Sequence, residues 1–109
     1  MTELLLVMTS LPDIEVAKAL ARRLIDANLA ACVQLQPGMQ SIYQWEGRIC
    51  EEQEAVLVAK TTAAQWPAIS AFIKQNHPYD VPEIIAQPIT HSHTDYARWV
   101  IAETMVAPN

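Results

Sequence analysis

Residues 30–60 form one continuous hairpin pattern, and no other feature of the chain constrains its fold as much. Cys32–Leu35 and Ala55–Ala59 are apolar and strand-like, and Tyr43-Gln44-Trp45-Glu46-Gly47-Arg48 makes the tip between them. About thirty residues is long for a hairpin in so small a domain, where single strands usually run to ten residues or fewer. An arm of that length needs partners. Tyr43 and Trp45 at its end cost free energy in water, so the arm is expected to dock on another subunit.

The remainder of the chain is sized for one domain. With 109 residues it buries roughly two thirds of the surface its unfolded form exposes, and the whole of 1–109 is assigned to a single unit. Apolar residues make up 51% and charged residues 17%, a balance suited to a globular protein that hides extra apolar surface between subunits. The net charge of -5 argues against a nucleic-acid partner, because affinity for phosphate backbones comes from lysine and arginine. No apolar run approaches the ~20 residues that cross a bilayer, and Met1-Thr2-Glu3 lacks the regions of a signal peptide. No membrane contact and a cytoplasmic location are expected.

Cysteine placement agrees with a reducing compartment. A turn at Glu46-Gly47 sets Cys50 opposite about Tyr43 and Cys32 opposite about Thr61, some eleven strand positions apart. At ~3.3 Å per position no disulfide can join them, even if Pro37-Gly38 bends the strand.

Leu4–Met8 is a continuous apolar run, placed as the central strand and ending at Thr9-Ser10. Pro12 and Asp13 then start a helix, with Ser10 and Asp13 at capping-box spacing, and Ile14, Ala17, Leu20, Ala21, Leu24 and Ile25 draw one apolar stripe as far as Asn28. After the hairpin, Thr62 and Gln65 repeat the capping spacing ahead of a helix carrying Trp66, Ile69, Phe72 and Ile73. Pro82 and Pro88 bracket a short strand, Glu83–Gln87. A last helix follows Ser92 and Asp95, with Ala97, Val100 and Ile101 on its buried side. Strand, helix, hairpin, helix, strand, helix describes an α+β, ferredoxin-like βαββαβ sandwich with a long central hairpin and a C-terminal helix.

Catalytic signatures are sparse. Gly38 and Gly47 are the chain's only glycines, too few for a phosphate-cradling loop. His91, Ser92 and Asp95 have the residue types of a hydrolytic triad, but as sequence neighbours at a helix start they read as capping groups. Glu46, Glu51, Glu52 and Glu54 read as a solvated strand face. The chemical signal carried forward is metal ligation: His77 and the His91-Ser92-His93 pair offer imidazole, and Met8, Cys32 and Cys50 offer the soft sulfur that copper(I) prefers.

Taken in order, Ala30-Ala31-Cys32, Tyr43-Gln44-Trp45-Glu46-Gly47, Lys60-Thr61-Thr62, His77-Pro78-Tyr79, Val81-Pro82-Glu83-Ile84 and Ile89-Thr90-His91 resemble the CutA family of divalent-cation-tolerance proteins over nearly the whole chain. The resemblance implies a homotrimer in which long hairpins pair with strands of neighbouring subunits, with Tyr43, Trp45 and Glu46 at the trimer interface. It also implies a non-enzymatic role in tolerance of copper and other divalent ions. The copper ligands proposed for some bacterial members are a cysteine ending the first strand and a histidine pair before Pro-Tyr. Here Met8 and Asn76-His77 occupy those places, leaving Met8 and His77 as the candidate metal ligands and copper as the candidate ion. Cys32, Lys60, Tyr79 and His91 are expected to face the cleft between subunits. The alternative is a trimeric scaffold similar to PII signalling proteins, holding a small ligand or a protein in those clefts. An acyl-phosphate hydrolase on the same fold ranks third, since Thr9-Ser10-Leu11-Pro12 supplies neither arginine nor glycine.

Overall fold

The protein, described by a computed structural model over residues 2–105, builds its sheet around the expected central strand. The single domain assigned to 1–109 has its two ends, residue 1 and residues 106–109, outside the described residues. In chain order the elements are β1 (Leu4–Leu11), α1 (Ile14–Asp26), β2 (Cys32–Trp45), β3 (Arg48–Thr62), α2 (Trp66–Gln75), β4 (Ile85–Ile89) and α3 (Thr94–Thr104). The four strands lie in the order β2-β3-β1-β4, every neighbouring pair antiparallel. This is the ferredoxin-like arrangement.

Period-two alternation sorts the side chains of the sheet. Leu5, Val7, Leu11, Ala55, Leu57 and Ala59 point to one face, where Ala17, Leu20 and Leu24 of α1 and Ile69 and Ile73 of α2 cover them. Val7, Leu11, Leu57, Ile69 and Ile73 are fully buried, each contributing about 1.5–3 kcal/mol of transfer free energy. The opposite face carries Leu6, Met8, Val56 and Val58, all half-buried, and Ile85, which is exposed. α3 reaches that face only at its Lys60 end, where the Tyr96 ring centroid lies 5.9 Å from Nζ of Lys60.

The arm is as long as the sequence indicates. β2 and β3 span 14 and 15 residues and meet at Glu46-Gly47, whose φ values of 50° and 77° give the two left-handed residues of a type I′ turn. The register shifts once, between Gln36 and Met39, where Pro37 and Gly38 together oppose Ala55. Pro37 offers no N–H to the ladder and Gly38 takes a left-handed φ of 76°, so both suit a bulge. The extra residue moves Cys32 opposite Lys60 instead of Thr61, while Cys50 does face Tyr43. Both cysteines are free.

Several local expectations are corrected. Ser10 belongs to β1, and Asp13 itself caps α1, its carboxylate accepting from Val16 N–H at 2.9 Å. Thr62 makes no side-chain cap, because a 3-10 turn over Ala63–Gln65 intervenes and the Gln65 amide donates instead to the Thr104 carbonyl at 2.6 Å. At α3 the cap is His93, not Ser92, with Nδ1 accepting from Asp95 N–H at 3.3 Å. β4 begins two residues later than expected and runs through Pro88, which an edge strand tolerates because its outer side has no ladder to complete. Ile25, assigned to the apolar stripe, is 41% exposed. α1 ends with Asn28 at φ 57°, where Asn28 N–H bonds Ile25 O and Leu29 N–H bonds Leu24 O, a Schellman closure made without glycine.

Candidate functional site

The segment joining α2 to β4 passes over the end of β1, and three side chains fix it there. His77 Nδ1 accepts from Tyr79 N–H at 3.2 Å, which leaves Nε2 protonated to donate to the Ser10 carbonyl at 2.8 Å, with Thr9 Oγ1 at 3.1 Å. Burial lowers the pKa of His77, against the opposing pull of the Ser10 carbonyl and Glu54. Tyr79 then donates its hydroxyl to Glu54 Oε2 at 2.8 Å. Burial first, and the Glu54 carboxylate second, hold Tyr79 far above the usual tyrosine range.

Glu54 is only 8% exposed, which corrects its assignment to a solvated strand face. It sits where β3 passes under the 77–83 segment, and the tyrosine hydroxyl replaces the water it gives up. Between that segment and the arm lies a cavity of about 640 Å³, lined by Ser10, Tyr43, Trp45, Glu52, Glu54 and Tyr79 among others.

A second cluster occupies the other end of the sheet. Cys32 and Lys60 pair across β2 and β3, Lys60 Nζ donates to Gln34 Oε1 at 2.6 Å, and Tyr96 covers both. Burial, and next the Cys32 thiol, raise the pKa of Tyr96.

The site residues named from sequence are thus divided. Met8 pairs with Val58 and Ile85, and its side chain leaves β1 on the face opposite Thr9, whose hydroxyl contacts His77; Met8 and His77 do not converge. Cys32 and Lys60 do meet. Tyr79 bonds Glu54, six strand positions from Lys60 and so about 20 Å away. His91 is exposed beyond the end of β4, with Nδ1 2.9 Å from Thr90 Oγ1. Tyr43, Trp45 and Glu46 stand exposed at the arm's tip. Among the described residues no group of three or more His, Cys, Asp or Glu side chains converges on a point where a metal would sit. Glu54 and Tyr96 were missed from sequence. The signal for Glu54 was its place immediately before the apolar run Ala55–Ala59.

Residues 5–103 match the family described as CutA1 divalent ion tolerance protein. The chain belongs to the CutA family. A divalent-cation tolerance protein CutA from Thermus thermophilus is 42% identical over 98 residues, covering 90% of this chain and 95% of that relative. One from Citrobacter koseri is 39% identical over 100 residues, covering 92% and 87%. Among solved structures, CutA1 from Oryza sativa superposes with a TM-score of 0.93 at 37% identity over 96% of each chain. A CutA from Archaeoglobus fulgidus, described as periplasmic, superposes with a TM-score of 0.91 at 28% identity, covering 94% of this chain and 99% of that one. The CutA fold and the divalent-cation-tolerance family are therefore established for this chain. Among its described residues no helix is long and apolar enough to cross a membrane.

Proposed function

We propose that the protein serves divalent-cation tolerance as a non-enzymatic, cytoplasmic homotrimer, with copper as the ion it meets and holds weakly. The observation that carries this reading is the arm. It exposes Ile42 at 69% and Ile49 at 78%, together with Tyr43 and Trp45, along a molecule whose longest dimension is 46 Å. Apolar surface of that kind at the end of a projecting hairpin marks an interface. The donors limit the proposed copper affinity to weak binding: Met8 and His77 point apart, and both ring nitrogens of His77 are already engaged. Native mass spectrometry of tag-free protein, with and without a small excess of copper under reducing conditions, tests both parts. A trimer with partial copper occupancy supports the reading, and a monomer removes it.

The cavity beside Glu54 and Tyr79 favours a second reading, a PII-like scaffold that holds a small ligand at the subunit boundary. A ligand at 100 times its dissociation constant stabilises by about 2.7 kcal/mol, so a metabolite panel read by thermal shift separates the two.

A further inference from the structure

The cavity between the arm and the segment after α2 has charged groups of one sign only. Glu52 and Glu54 of β3 line it together with Asp80 and Glu83 of the facing segment, and no lysine or arginine joins them. Lys74 donates to the Asp80 backbone carbonyl, and among the described residues none of the four carboxylates forms an ion pair. Glu54 supplies a second, independent observation. It is 8% exposed and commits only Oε2, to the Tyr79 hydroxyl, while Oε1 accepts no hydrogen bond among the described residues. A carboxylate withdrawn from water with one oxygen unmet is stabilised by a cation brought to it. After burial, Glu54 and then Glu52 hold Tyr79 above the tyrosine range, so both carboxylates act across the same space.

We propose that this cavity binds a linear polyamine, with its ammonium groups on the carboxylates and its methylene spacers against the rings of Tyr43, Trp45 and Tyr79. This rests on the scaffold reading and names the ligand class for it. The spacing of the charges decides between a polyamine and a metal ion. Among the described residues no three or more His, Cys, Asp or Glu side chains converge, so a point charge would meet too few ligands. Ammonium groups set apart along a flexible chain instead match carboxylates that stand apart. Glu52 and Glu54 leave β3 on the same face, about 6.6 Å from each other at ~3.3 Å per residue, close to the separation of the nitrogens in an extended four-carbon diamine. The volume of about 640 Å³ is that of a small-molecule site, and Tyr43, Trp45 and Tyr79 offer the aromatic faces that attract alkylammonium groups. A phosphate or carboxylate ligand would face four like charges there and no cation.

The test is isothermal titration of spermidine into the full chain, with butylamine and magnesium titrated at matched ionic strength. Glu52→Gln, Asp80→Asn and Glu83→Gln each remove one charge from the cavity. Glu51→Gln removes one from the same strand but outside the cavity and is the control. Circular dichroism and sedimentation confirm that each variant keeps its fold and assembly. The expected result is saturable binding of one spermidine per chain, weakened about tenfold or more by at least two of the three cavity variants and unchanged by Glu51→Gln, with butylamine at least tenfold weaker. No saturable binding, an equal loss in Glu51→Gln, or equal competition by magnesium would show a diffuse counterion effect or an occluded cavity, and each overturns the polyamine site. Spermidine failing while another metabolite of the thermal-shift panel binds, and is lost in Asp80→Asn, overturns the ligand class and leaves the scaffold standing. A panel in which nothing binds overturns both.

Discussion

Tyr79 donates its hydroxyl to Glu54 across 25 residues of sequence, at 2.8 Å, and so pins the segment after α2 to the root of the arm. Removing the donor leaves a carboxylate that is 8% exposed without its protein partner. Tyr79→Phe is expected to destabilise by about 1–3 kcal/mol, and Glu54→Gln by less, because the amide oxygen still accepts. Denaturant unfolding of the two variants under one buffer checks the order. Equal losses would show that the charge on Glu54, and not a neutral acceptor for the hydroxyl, sets the energy.

His77 gives stability a pH dependence of definite sign. Burial lowers its pKa in the folded protein, so below about pH 6.5 the unfolded chain takes up a proton that the folded one resists. Its contribution is complete above that pH and is lost as pH falls through the folded value. The slope is at most about 1.4 kcal/mol per pH unit, reduced by solvent at this half-buried ring. Thermal melts of wild type and His77→Gln between pH 8 and pH 4.5 should converge as pH drops, whereas parallel curves would contradict a neutral His77.

The core beneath α2 is closely packed. Ile73 and Leu57 are fully buried in the same cluster. Ile73→Ala is expected to cost about 2–5 kcal/mol and Ile73→Val only about 0.5–1.5 kcal/mol. Chemical denaturation of the pair reads this out, and similar losses for both would mean the site relaxes around the missing methyl groups.

Ile49 at the tip should behave in the opposite way. It is 78% exposed and lies outside the main core, so Ile49→Asp is expected to change the secondary-structure signal little while weakening assembly sharply. Size-exclusion chromatography with light scattering is the check. An unchanged oligomer would place the interface elsewhere.

Copper binding should be insensitive to Met8→Leu. Met8 leaves β1 on the face opposite the Thr9 hydroxyl that contacts His77, and the two do not form one site. Titration of copper(I) into wild type and variant should give equal affinities. A tenfold loss on removing the thioether would require Met8 to ligate through a contact that one protomer does not make.

How much of this was legible beforehand depended on how local each cause was. The arm could be read because Glu46-Gly47 specifies a tight turn and the strands alternate on either side of it. Helix starts were less legible. Three Ser/Thr residues stood at capping-box spacing, yet Asp13 and His93 cap α1 and α3 and neither side chain caps α2, because strand ends and a 3-10 turn decided where each helix could begin. The amide of Gln65 was taken by Thr104, 39 residues away, which no local rule anticipates.

The amino-acid sequence alone determined the order of elements, the hairpin turn, the apolar faces and the family, since all of these are written in neighbouring residues or in fixed spacings. Only the tertiary structure decided that Glu54 is buried on Tyr79, that Met8 leaves β1 on the face opposite the Thr9 hydroxyl that His77 contacts, and that Cys32 and Lys60 share a cluster with Tyr96. The Cys32–Lys60 pairing depends on a one-residue bulge at Pro37-Gly38, and the other two on which side of its strand each residue falls. A shift of one position in a period-two structure sends every later side chain to the other face, so the chemistry of the site had to await the register.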